Sequence, residues 1–239
     1  MNPILNKEIS FIDLGLIDYQ QAWDYQTDLF NKNLEIKKQN RDLPDNEQLP
    51  TNNYLLFCEH PHVYTLGKTG DEKNLLVKKE DLHTISASYY PINRGGDITY
   101  HGPGQLVVYP IIDLENFFTD IHQYMRLLEE AVIQTLAEFK IMGGRIKGLT
   151  GVWIDFENEF TTRKICALGV KTSRWITMHG LAFNINVDLS YFTHIVPCGI
   201  DDKAVTSLQK ELAHQVDMPL VKSIMKEKLI SLFGMILVN

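Results

Sequence analysis

The chain has 239 residues, 44% of them hydrophobic and 22% charged, with a formal net charge of −7. Such a composition excludes a disordered, collagen-like or disulfide-dense chain, and the length is enough to bury a sizeable core in one domain over residues 1–239. The acidic balance argues against charge-driven binding of nucleic acid, and Cys58, Cys166 and Cys198 are widely spaced with no CxxC pair, as expected of a reducing cytoplasm. The first residues lack the charged-then-apolar build of a signal peptide, and no apolar run approaches the roughly 18 residues of a membrane span. The expectation is a cytoplasmic protein with no membrane partner.

Residues 9–14 read as a short strand. Over residues 18–36, Tyr19, Ala22, Trp23, Gln26, Leu29 and Phe30 recur at helical spacing. Residues 37–53 (KKQNRDLPDNEQLPTNN) turn polar, with two prolines and many amides, and predict an exposed, partly disordered loop. Strands follow at 54–58 and 63–66, separated by His60-Pro61-His62, and another at 89–93. Residues 105–114 (QLVVYPIIDL) form a nearly continuous apolar run, expected as a strand buried on both faces, although Pro110 removes a ladder donor.

Residues 119–139 carry the clearest helical pattern, with Ile121, Met125, Leu128, Val132, Leu136 and Phe139 behind a Thr119 or Asp120 cap. Three strands are expected at 151–156, 164–171 and 176–186, and a last helix at 219–232. Strands and helices mix without strict βαβ alternation. This predicts an α/β or α+β domain on a mixed sheet flanked by helices.

Two segments concentrate chemistry. The first is RGGDITYHGPGQ (94–105), whose glycines allow close backbone approach and convergent N–H groups, with Arg94, Thr99, Tyr100 and His101 beside them. It is not a phosphate loop, and a two-turn hairpin explains the glycines equally well. The second is IVPCGI (195–200), where Cys198 stands between Pro197 and Gly199, as in a tight exposed turn. Cys58 and Cys166 lie in apolar strand patterns and read as small hydrophobes.

A thiol nucleophile at Cys198 needs a neighbour that stabilises the thiolate and a group that moves protons. His101, His179, His194 and Lys164 are the candidates, and spacing alone does not choose among them. There is no HxxxH or CxxC pattern, so no metal is expected. Residues 140–174 carry a net +4 within this acidic chain. They read either as a patch that steers an acidic partner, with Arg145 and Lys147 as its test positions, or as solvated strand edges.

Together RGGDITYHGPGQLVVYP, KICALGVKTSRWITMHGLAFNIN, FTHIVPCGI and the earlier EHPHVYTLG resemble the lipoyl(octanoyl) transferases, over roughly two thirds of the chain. The resemblance implies the fold of the lipoate– and biotin–protein ligase catalytic domains, a mixed sheet flanked by helices with the acyl chain in a sheet-lined tunnel. It implies Cys198 as the acyl-carrying nucleophile and Lys164 as the partner that lowers its pKa. It further implies substrate contacts from Arg94, Gly95, Gly96, Asp97, Ile98, Thr99, Tyr100 and His101, from Ala167, Leu168 and Gly169, and from Gly180, Leu181 and Ala182. Cys166 departs from the family, which has a small residue, often alanine, at that point.

The implied donor is octanoyl-acyl carrier protein. The implied acceptors are lipoyl domains of 2-oxoacid dehydrogenase E2 subunits and the glycine cleavage H protein, with no cofactor. An ATP-dependent lipoate–protein ligase shares the fold but needs no acyl-cysteine. A cysteine hydrolase and a non-catalytic carrier-binding module are the readings from other classes.

Overall fold

The apolar runs assemble into two sheets in the computed structural model, which describes residues 5–196 and 204–238. In chain order the elements are β1 (Glu8–Leu16), α1 (Tyr19–Gln39), β2 (Asn53–Glu59), β3 (Val63–Leu66), β4 (Ser88–Pro91), β5 (Ile98–His101), β6 (Gln105–Ile111), α2 (Ile121–Glu138), β7 (Gly143–Gly144) and β8 (Val152–Ile154). They continue with β9 (Arg163–Ser173), β10 (Ile176–Asn184), β11 (Ala204–Val205), α3 (Leu208–Leu212), α4 (Met218–Phe233) and β12 (Ile236–Val238).

Among the described residues the large sheet runs β12-β1-β2-β6-β10-β9-β8-β7, with β11 added beside β9. Its β1 is parallel to both neighbours, and from β2 to β7 each pair is antiparallel, so the sheet is mixed as expected. A small sheet, β4-β3-β5, stands apart from it.

The helical stripes explain the layers. Leu128, Val132 and Leu136 of α2 and Met225 and Leu229 of α4 pack with Leu55, Phe57, Leu106 and Val108 on one face of the large sheet. Ala22, Leu29 and Phe30 of α1 cover the other face against Leu56, Val107, Tyr109 and Met178. Asp120 caps α2, accepting from the N–H groups of His122 (2.8 Å) and Gln123 (3.0 Å). No helix among the described residues is long and apolar enough to cross a membrane.

Two local outcomes have clear causes. Pro110 sits inside the central strand β6, opposite Leu55 of β2. Its ring faces β10, where the ladder with β6 has ended, and a β-carbon at Gly180 would lie 2.8 Å from Pro110 Cδ and 2.1 Å from Val108 O. The missing donor and the missing side chain accommodate each other.

The polar stretch 37–53 is mostly exposed, and side-chain hydrogen bonds hold it to the rest of the chain. Lys37 Nζ donates to Asp113 Oδ1 and to the Arg174 carbonyl, both at 2.7 Å, and the Asn40 side chain bonds both the N–H (2.9 Å) and the carbonyl (2.8 Å) of Leu49. The amides that suggested disorder are what satisfy the backbone here.

Candidate active site

A cavity of about 480 Å³ opens between the two sheets and the N-terminal turn of α2. Every residue expected to contact substrate lines it except Tyr100, and Lys164 lines it too. The Arg94–Asp97 loop reaches it because Arg94, only 8% exposed, is held by Thr65, its Nη2 donating to the carbonyl (2.8 Å) and to Oγ1 (3.1 Å). Gly95 N–H donates to the Val170 carbonyl at 3.0 Å, which seats the loop on β9. Strand alternation turns Tyr100 the other way. It is fully buried in the small sheet's aromatic cluster, its hydroxyl 2.7 Å from His62 Nδ1 and its ring stacked on Tyr191.

The loop also braces the chain that leads toward Cys198. Asp97 Oδ2 accepts from Asn74 Nδ2 at 2.5 Å, and the Asn74 carbonyl accepts from Val196 N–H at 2.8 Å. Cys198 itself lies outside the described residues, as do Pro197 and Gly199. His194, partly buried, lies at the C-terminal end of the short helical turn Leu189–His194 and does not line the cavity.

Lys164 is half-buried on β9, with Nζ 4.5 Å from the centroid of the Trp153 ring, and the face of that ring favours a cation.

The buried histidines have defined roles. The Gln105 amide donates to the Tyr100 carbonyl (3.2 Å) and to Asn184 Oδ1 (2.9 Å), which leaves its oxygen to accept from His101 Nδ1–H at 2.8 Å. His60 Nδ1–H donates to the Ile17 carbonyl at 2.9 Å, so its Nε2 accepts from the Tyr109 hydroxyl at 2.8 Å. His179 Nε2 bonds Asn93 Oδ1 at 3.0 Å. Burial disfavours the imidazolium in all three, lowering His60 to about 4 and His101 and His179 to about 3. At neutral pH neither His101 nor His179 carries the positive charge that would hold a thiolate.

Burial raises the thiols of Cys58 and Cys166, both fully buried. The reading of these two as small hydrophobes agrees with where they lie.

Several cavity residues escape the sequence motifs. Tyr19, Met125 and the segment Gly148, Leu149 and Thr150 all line it. Gln105, Tyr109 and Asn184 line it as well, although each lies inside a motif already singled out. The paired glycines of KGLTG were a usable signal for the 148–150 wall.

The basic segment is a different matter. Arg145 donates to Glu129 Oε2 (3.0 Å) and Glu130 Oε2 (2.7 Å), and Arg163 is paired with Asp155 and with Glu211. Their charges are met internally, so Arg145 does not serve as a free docking charge, whereas Lys147 is exposed.

The lipoyl protein ligase A/B catalytic domain model matches residues 18–230. An octanoyltransferase of Cytophaga hutchinsonii is 60% identical over 239 residues, covering 100% of this chain and 98% of its own. One from Flavobacterium johnsoniae is 57% identical over 230 residues, 96% of this chain and 98% of its own. Among solved structures, the bipartite lipoate protein ligase of Thermoplasma acidophilum superposes with a TM-score of 0.69 at 15% identity, covering 98% of this chain and 88% of that one. At that identity the likeness shows the fold.

Proposed function

The chain belongs to the lipoyl protein ligase A/B catalytic-domain family and is an acyltransferase of the octanoyltransferase kind, and we propose that it moves octanoyl from an acyl carrier protein to a lysine of a lipoyl domain through an acyl-cysteine at Cys198. What carries this reading is one cavity that joins Lys164 to all three stretches expected to hold the acyl chain.

In the first half-reaction the Cys198 thiolate attacks the thioester carbonyl, the bond to the carrier sulfur breaks, and the carrier leaves as its thiol with the proton of the Lys164 ammonium. In the second, the ε-amine of the acceptor lysine attacks the acyl-cysteine, an amide forms, and the Cys198 thiolate is restored. Lys164 stands as the cation that stabilises the thiolate, and in its neutral form as the base for the incoming amine. Thioester exchange is nearly neutral in free energy and aminolysis of a thioester runs downhill, so the sequence of steps needs no ATP.

The test is the intact mass of the protein after mixing with octanoyl-carrier protein without ATP. A gain of one octanoyl group, absent in Cys198→Ala and discharged by a lipoyl domain, is expected. Acceptor modification that requires ATP and free octanoate would replace this reading with that of a ligase.

A further inference from the structure

One buried carboxylate ties down both ends of the loop that walls the cavity beside Lys164. Glu129, within α2, is fully buried, where a carboxylate is stable only when paired. Its Oε2 accepts from Arg126 Nη1 (2.6 Å) and Arg145 Nε (3.0 Å), and its Oε1 accepts from the Gly151 N–H (3.1 Å). Arg145 and Gly151 are the two ends of RIKGLTG, and the residues between them include the cavity wall Gly148, Leu149 and Thr150.

Gly151 in turn supports the lysine. It adopts φ +130°, a region that suits glycine, and a β-carbon there would stand 2.8 Å from the Cys166 carbonyl and 3.2 Å from Lys164 Cε. The backbone at 151 therefore lies close against the aliphatic stem of Lys164, while Trp153, two residues on, presents its ring to the ammonium.

We propose that Glu129 is a positioning residue for Lys164: by holding Gly151 and Arg145 on one carboxylate it fixes the loop against the lysine stem and so aims Nζ into the cavity. The inference rests on the role proposed above for Lys164. Stability alone does not call for a carboxylate here, because buried ion pairs are commonly replaced by apolar groups of similar volume without loss. Contact with a backbone N–H beside a functional side chain is what a positioning device needs.

The experiment compares wild type, Glu129→Gln, Lys164→Ala and the double variant in octanoyl transfer from a carrier protein to a lipoyl domain, followed by mass over hours so that slow rates register. Glu129→Gln is expected to lower kcat about tenfold or more with the donor KM held within about twofold, since small misplacements of a reacting group are costly. In the Lys164→Ala background the same substitution is expected to cost less than about twofold, because its target is gone.

Gly151→Ala, which presses directly on the lysine stem, is expected to repeat the pattern and serves if Glu129→Gln does not fold. Losses that add in full in the double variant, or wild-type kcat in Gly151→Ala, overturn the inference while leaving the role of Lys164 intact. Full activity in Lys164→Ala overturns that role and the inference with it.

Discussion

Acidification from about pH 7 to about pH 5 is expected to bring this domain close to unfolding, and three histidines account for it. His60, His101 and His179 are held at about 4, 3 and 3 by burial, against an ordinary value of 6.5. Between these limits the unfolded chain binds a proton at each site and the folded chain does not. Stability is therefore complete above about 6.5 and falls as the pH drops toward the folded-state values.

Each site contributes about 1.4 kcal/mol per pH unit, so about 2 kcal/mol at pH 5 and about 6 kcal/mol for the three together. A total stability of about 5–15 kcal/mol leaves little margin after such a loss. Carboxylates held low by ion pairs, such as Glu130 and Glu211, begin to add their own losses only as the pH nears the ordinary carboxylate value. The assay is urea unfolding by tryptophan fluorescence at the two pH values. His101→Gln should remove about a third of the pH dependence. A loss below about 1 kcal/mol between pH 7 and 5 would refute the reasoning, since it would mean that these imidazoles are not desolvated.

Other expectations follow from the same geometry. Arg145→Glu removes a partner from the buried Glu129 and should cost about 3 kcal/mol or more in urea unfolding, whereas Lys147→Glu, on the exposed part of the loop, should leave stability unchanged within about 0.5 kcal/mol. If acidic partners approach this face, Lys147→Glu should slow association at low salt, read by stopped flow, and equal on-rates would end that idea. With Cys58 and Cys166 fully buried, iodoacetamide on the native protein should label Cys198 alone; one label persisting in Cys198→Ala would contradict the burial. Tyr109→Phe removes the hydroxyl donor at His60 Nε2, leaving only the weaker Cys58 thiol at 3.5 Å, and should cost about 1 kcal/mol without changing which thiol is acylated, measured by unfolding and by peptide mass.

How far the sequence alone reaches depends on the range over which each constraint acts. The stripe Ile121, Met125, Leu128, Val132 and Leu136 locates α2 because burial of one helical face is a local, periodic demand. The glycines of 94–104 are equally visible, since close approach of backbone to neighbouring chain leaves its mark at the positions that approach. The three-residue β12 is too short to show a period, and its place beside β1 depends on α4 ending at Gly234 in a left-handed turn.

Tyr19 and Tyr109 reach the cavity from elements far apart in the chain, and their aromatic character reads locally as core. Tyr100 shows the reverse case: it stands inside the right motif, yet the alternation of β5 turns it away from the cavity.

Glu129 was hidden for a further reason. Helical periodicity places it next to Leu128 on the covered side of α2, where a charge looks like an edge residue snorkelling to water. Its meaning depends on Arg145, whose own charge counts toward a surface patch when residues are summed along the chain. Net charge over a segment adds buried and exposed groups alike, although only the exposed ones produce a field that a partner can feel. In this fold the sum over 140–174 includes Arg145 and Arg163, both neutralised within the molecule, so the steering potential of that segment must come from its exposed basic residues, Lys140, Lys147 and Arg174, while Arg145 is held by Glu129 and Glu130.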